Sequence, residues 1–324
     1  MWAWVRAAAV TTALAGMLVG LTGCMTVHGE TAVVPATTEA EAEKVLENFV
    51  DVRNTAHRSF DADLSTTVQH GPLGDSERAA LTALKAVHPE GDEEFKPLEL
   101  RDAEFHIPRQ AGWPKYFLAS APGQVGDVRA HWLVMFSRDG VEADWKASYL
   151  SVVEPDAAPE FAADEDGHAR PLRKDATDPL AVEPARLGKS YTEFLQKGEG
   201  EAFAPGRFTT ERRKTRAESA NRPAARNEWA DTPADPERYP VMGLYTQDGG
   251  AVVFFAVHQH TKQTVAEGYT PAVDPLVKPL LKGEARQTLT KAYLYQQLVT
   301  VPEAQDAQVD FLDQRAGLIS AEGS

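Results

Sequence analysis

Residues 131–153, HWLVMFSRDGVEADWKASYLSVV, carry the clearest β signal in the chain: an apolar run, the turn pair Asp139-Gly140, and a returning alternation. In the returning arm Val141, Ala143, Trp145, Ala147 and Tyr149 share one parity, and Glu142, Asp144, Lys146 and Ser148 share the other. Successive strand side chains point to opposite faces, so the spacing predicts an antiparallel hairpin with one dry face and one wet face. Antiparallel pairing of this kind sets the fold class.

Helices are predicted ahead of that sheet. In TTEAEAEKVLENFVDVRNTAHRSF (37–60), Thr38 and Glu41 stand at capping-box spacing, and Val45, Phe49, Val52 and Ala56 recur at helical intervals beside Leu46. A helix over 39–58 follows. In GDSERAALTALKAV (74–87), Asp75 or Ser76 is expected to cap a shorter helix whose face is Leu81, Leu84 and Val87, ended by Pro89.

The order then repeats. The stretch 154–180 is rich in proline, acid and alanine and reads as an interdomain linker. Pro184 opens a helix with the face Leu187, Tyr191, Phe194 and Leu195, stopped by Gly198. YPVMGLYTQDGGAVVFFAVHQH (239–260) and the segments 290–301 and 307–312 supply strands. AFAPGRFTTE (202–211) echoes SFDADLSTTV (59–68) in class and spacing, which suggests a tandem repeat. Two α+β domains are expected, at 38–153 and 181–324, each an N-terminal helix packed on a curved antiparallel sheet.

The first 23 residues read differently. MWAWVRAAAVTTALAGMLVGLTG has one cation, Arg6, an apolar stretch too short for a comfortable membrane span, and no acid, which is the layout of a cleaved signal peptide. Leu21, Thr22, Gly23 and Cys24 follow it, and Cys24 is the only cysteine of 324 residues. These four residues match the lipobox, so the chain resembles a bacterial lipoprotein. The resemblance implies cleavage before Cys24, a diacylglycerol thioether on its sulfur, further acylation such as palmitate, and a place on the extracytoplasmic face of the cell membrane. Residues 24–37 then serve as a lipidated tether, with order starting near Thr38. As a whole the chain resembles uncharacterised actinobacterial lipoproteins. Its order of elements resembles tandem cystatin-like domains of the nuclear-transport-factor-2 type.

With 48 acidic against 33 basic residues, the net charge of -15 excludes a nucleic-acid partner, which would need a basic stripe. The locally basic string 209–229 is expected to be a solvated helix face, with an anionic partner as the alternative. Trp132, Trp145, Tyr149, Phe255 and Tyr293 could line a ligand cavity at the open end of a cone, or simply fill cores. His258 and His260 share a strand face, where Glu267 or His131 could complete a metal set, but no zinc-type spacing accompanies them. Ser76 lacks the second glycine of a nucleophile elbow. Trp113 and Trp229 are expected in loops. No cofactor and no catalysis are expected. The reading is a lipid-anchored binding or scaffolding protein, with a carrier of a lipid or small apolar ligand as the alternative and an enzyme behind both.

Overall fold

A computed structural model describes residues 32–172, 180–198, 200–303 and 307–324; the lipobox and Cys24 lie outside the described residues. The first half comprises β1 (Val34–Pro35), α1 (Glu39–Ser59), α2 (Ala62–Val68), α3 (Gly71–Val87), β2 (Leu98–Leu100), β3 (Glu104–His106), β4 (Arg109–Gln110), β5 (Lys115–Val125), β6 (Val128–Arg138) and β7 (Lys146–Val153). The second comprises α4 (Leu187–Lys197), α5 (Thr210–Ser219), β8 (Asn221–Arg222), β9 (Ala225–Pro233), β10 (Met242–Tyr245), β11 (Ala251–Val265), β12 (Leu281–Gly283), β13 (Thr288–Val301) and β14 (Asp310–Gly323). The protein is α+β, built on two sheets. One has the order β2-β5-β6-β7 with β3 also on β5; the other runs β12-β14-β13-β11-β9-β8 with β10 on the remaining length of β11. Pairing is antiparallel apart from β12 with β14.

Local chemistry explains the helices. Thr38 Oγ1 accepts the Glu41 N–H at 3.2 Å, closing the N-terminus of α1 as its spacing predicts. Phe60, at φ 54°, ends that helix in the left-handed region. Asp61 then caps α2, which the sequence pattern did not announce, by accepting the Leu64 N–H at 2.9 Å. Helix α3 starts at Gly71 with Pro72 in its first turn, earlier than the capping residues suggested. Ser76 is therefore a buried interior residue and not a cap.

The layers run helix, sheet, sheet, helix. On β5 and β6, Phe117, Ala119, Trp132, Val134 and Phe136 face α1, packing on Leu46 and Phe49. Their neighbours Tyr116, Leu118, Leu133 and Met135 point the other way, into a shared core with Met242, Val252, Phe254, Leu294 and Leu298 of the second sheet. The far face of that second sheet carries Val253, Phe255, Val299 and Val301 against Leu187, Tyr191 and Phe194 of α4. Where these layers meet, β5 and β6 of the first sheet and the start of β11 and end of β13 in the second are dry on both faces, which is why WLVMF and VVFF are continuous apolar runs, whereas β9 alternates towards solvent.

This corrects the wet face expected for the returning hairpin arm. The strand resumes only at Lys146, leaving Val141 exposed in the connecting loop. A bulge then breaks the alternation: Phe136 pairs with Ala147 and Met135 with Tyr149, with Ser148 inserted between. Trp145 and Ala147 face α1, while Tyr149 turns into the layer between the sheets. The wedge is sealed by a hydrogen-bonded triangle in which His70 Nε2 meets Ser137 Oγ at 2.8 Å and Ser148 Oγ at 2.7 Å, with 2.6 Å between the two hydroxyls.

Two segments expected to be loose are built in. Val34 and Pro35 pair with Gln110 and Arg109, and Ala36 is buried, so order begins before Thr38. The described part of 154–180 straps the halves together: Ala169 bridges to Pro108 of the first half, while Phe161 and Pro171 bridge to Thr246 and Leu244 of the second.

Helix α3 makes the other joint. Asp75 accepts from Arg238 Nη2 and Tyr239 Oη, both at 2.7 Å. Burial alone would raise the Glu77 carboxyl, but His57 at 2.7 Å, with Arg53 and Arg315, outweighs it and holds the group at about 2. Gly317 of β14 lies so close to Ser76 that a Cβ would fall on the serine side chain. Gly317→Ala is expected to lose about 1–3 kcal/mol by pushing α3 off β14, read as a lowered denaturation midpoint.

The basic string is only partly a solvated face. Lys214 is exposed, but Arg212 and Arg216 turn inward to Gln259 and Gln314, and Arg216 forks onto Asp231 at 2.6 and 2.9 Å. Asp231 is 2% exposed, so removing its partner strands a buried charge. Arg216→Ala is expected to cost about 3–5 kcal/mol, whereas Lys214→Ala stays within about 0.5 kcal/mol; urea unfolding of the two variants checks this.

Candidate functional site

At one end of the layer shared by the two sheets, a cleft of about 930 Å³ opens between the halves. Its first wall comes from the connection 109–114 and the start of β5, with Arg109, Trp113 and Tyr116; its second comes from Pro240, Met242 and Tyr245; the strap contributes Asp164 and Arg170. The floor is continuous with the inter-sheet core, since Tyr116 and Met242 belong to both. Burial pushes the Tyr116 hydroxyl well above its ordinary range, so it stays a donor, and it donates to the Gly243 carbonyl at 3.0 Å.

Charge at the mouth is arranged by the strap. Asp164 accepts the backbone N–H groups of His168 at 2.8 Å and Asp166 at 3.0 Å, and these bonds hold its carboxyl below the usual range. Arg109 is engaged by Asp166 at 2.7 Å. Arg170 is exposed, and its guanidinium lies 5.0 Å from the Tyr245 ring centre. A guanidinium stacked on an aromatic ring beside an apolar floor suits a ligand with both an anionic or polar group and an apolar body.

A smaller hollow of about 380 Å³ opens at the strap's other end, with His106, His131, Asp102, Glu104, Glu160 and Phe161 around it. His131 Nε2 lies 2.7 Å from Ser120 Oγ, and the His106 ring sits 4.4 Å from that of Phe161. Burial, aided by the neighbouring His131, lowers His106 to about 4. Sequence patterning gave no signal for this pair, because the two histidines are 25 positions apart and meet only through β3–β5–β6 pairing.

The predicted candidates disperse. Trp132 and Trp145 pack on the α1 side of the first sheet, Tyr149 lies between the sheets, and Phe255 lies under α4. Tyr293 is half-buried on β13, 6.1 Å from Tyr295. These five do not surround one cavity. His258 is half-buried beside Tyr239, with its pKa lowered by burial and then by His260, which is itself exposed. His131 belongs to the other sheet, and Glu267 lies beyond the end of β11. Among the described residues no cluster of three His, Cys, Asp or Glu is placed to hold a metal ion. Trp229 lies on β9 with Arg216 over its ring at 6.0 Å, not in a loop, whereas Trp113 does occupy a connection.

A family described as a domain of unknown function, DUF8094, matches residues 33–323, which takes in both halves and the cleft between them. The chain belongs to the DUF8094 family. Relatives of this DUF8094 protein include an uncharacterised lipoprotein of Streptomyces coelicolor, 41% identical over 93% of this chain and 90% of the relative. An uncharacterised lipoprotein of Streptomyces avermitilis is 37% identical over 98% and 96%, and a second from Streptomyces coelicolor is 25% identical over 83% and 78%. No solved structure matches it. These relatives accord with a lipoprotein anchored to a membrane through lipid, and no helix among the described residues is long and apolar enough to cross one.

A folded-state pKa near 4 for His106 lies below its unfolded value of about 6.5, so the unfolded chain binds the extra proton between those limits. Stability is full above pH 6.5 and falls as pH drops towards 4. The His106 contribution to that loss is about 2–3 kcal/mol. His106→Phe is expected to flatten the profile by that amount, measured by urea unfolding at pH 7 and pH 4.5.

Proposed function

We propose that this protein is a lipid-anchored, non-enzymatic binding protein of the extracytoplasmic membrane face, held by diacylglycerol and further acyl chains on Cys24 and working through the cleft between its two halves. The observation that carries the reading is the cleft itself: both sheets and the strap build it, and its lining pairs an apolar floor with the stacked Arg170 guanidinium. The carrier alternative is favoured only in this interdomain form, because the helix-facing sides of both sheets are occupied by packed side chains. A non-catalytic role is supported by the burial of Ser137 and Ser148 beside His70, each hydroxyl already engaged within the triangle.

Two measurements on detergent-extracted native protein test this. Intact mass is expected to give Cys24 as the N-terminus with a diacylglycerol adduct; an unmodified thiol there overturns the anchor. Native mass spectrometry is expected to show a co-purified small molecule whose occupancy falls at least about tenfold, or ~1.4 kcal/mol, in Arg170→Glu. Protein that extracts without any bound molecule and takes none up from a membrane extract overturns the cleft.

A further inference from the structure

The end of the first sheet that receives the tether carries a set of exposed apolar groups that its fold does not use. Among the described residues six large apolar side chains are exposed, and three of them, Val33 at 64%, Val34 at 40% and Val141 at 70%, belong to this end. Val33 and Val34 sit at β1, which pairs with β4. Trp113, half-buried, lies in the connection between β4 and β5, and Val141 lies in the loop leaving β6 three residues after Arg138, the partner of Lys115 in the sheet register. Arg138 and Lys115 hold their cationic ends 5.5 Å from the Trp113 ring centre. Lys115 is buried and Arg138 is paired with Glu41 at 3.5 Å, so these cations hold the ring from the protein side, and a tryptophan at the sheet's end is the side chain that settles at a membrane–water interface.

The length of chain ahead of this patch says what covers it. Nine residue steps separate Cys24 from Val33, a span of at most ~30 Å when fully extended. From these observations we infer that this end of the first sheet docks on the lipid surface, with Val33, Val34, Val141 and Trp113 entering the interfacial region beside the anchor. The inference rests on the lipid anchor at Cys24 proposed above. Asp139, Glu142 and Asp144 share the loop with Val141, so the contact is with neutral lipid through apolar insertion and does not depend on anionic headgroups. Val33 and Trp113 also edge the cleft, which therefore opens towards the bilayer, and a ligand with an apolar body reaches it from the membrane.

Val128, 71% exposed, supplies a built-in control. It sits at the opposite hairpin tip, where Val125 pairs with Val128, one full length of β5 and about 33 Å from the Lys115–Arg138 end. The test uses the acylated full chain in phosphatidylcholine vesicles, with or without bromine on the acyl chains. The difference in emission between wild type and Trp113→Phe isolates Trp113 from Trp132, Trp145 and Trp229. Bromolipid is expected to quench that difference emission by at least half. Val141→Asp should relieve the quenching, while Val128→Asp should leave it unchanged; both positions are exposed, so both variants keep the fold. Equal Trp113 emission in brominated and ordinary vesicles, with the diacylglycerol adduct present, overturns the docking alone. Absence of the adduct overturns the anchor, and the docking with it.

Discussion

Two sheets press their faces together, and most of the architecture follows from that contact. A sheet packed on one side by a helix and on the other by a second sheet has no face left for water, so side chains of both parities must be apolar. Polar groups trapped in the layer need partners inside it. Tyr116 and Tyr149 meet this requirement by donating to the Gly243 and Pro240 carbonyls at 3.0 and 2.9 Å. At the open edge of the first sheet, the Leu150 and Val152 N–H groups donate to the side chains of Gln296 at 3.4 Å and Asp313 at 2.9 Å, so the second half also closes an edge that would otherwise be free to pair.

The joint also decides where binding is feasible. Open space between the halves arises at one end of their shared layer, where the strap crosses. Tyr116 and Met242 serve at once as core and as cleft floor, so the depth of the cleft is tied to the fit between the sheets. A change in the relative tilt of the halves would alter both together. The strap crosses both hollows, with the Phe161 ring tilted against His106 at one end and Arg170 over Tyr245 at the other.

Charge is used inside this acidic protein as well as on its surface. Arg212 and Arg216 close the concave side of the second sheet beyond the reach of α4, with Asp231, Gln259 and Gln314 taking their donors. Glu77 is held ionised by groups from both halves, the His57 hydrogen bond and the Arg53 charge from α1 and the Arg315 charge from β14. Removing one member of such a set leaves the others buried and uncompensated, which makes these positions more sensitive than their polar character suggests.

Local rules read well from sequence because their physics is local. The Thr38 cap of α1, the Pro184 turn that leads into α4 and the Gly198 stop each depend on residues within a few positions of one another. The α+β class and the helix-then-sheet order of both halves were legible for the same reason. What the tertiary structure decided depends on groups far apart in the chain. The Ser148 bulge turns Tyr149 away from Trp145 because the second sheet offers it a dry surface and a carbonyl, neither visible in the alternation of 141–149. The cleft, the strap and the His106–His131 hollow likewise exist only once the halves meet. Periodicity reports that a side chain is buried; only the folded chain says against what.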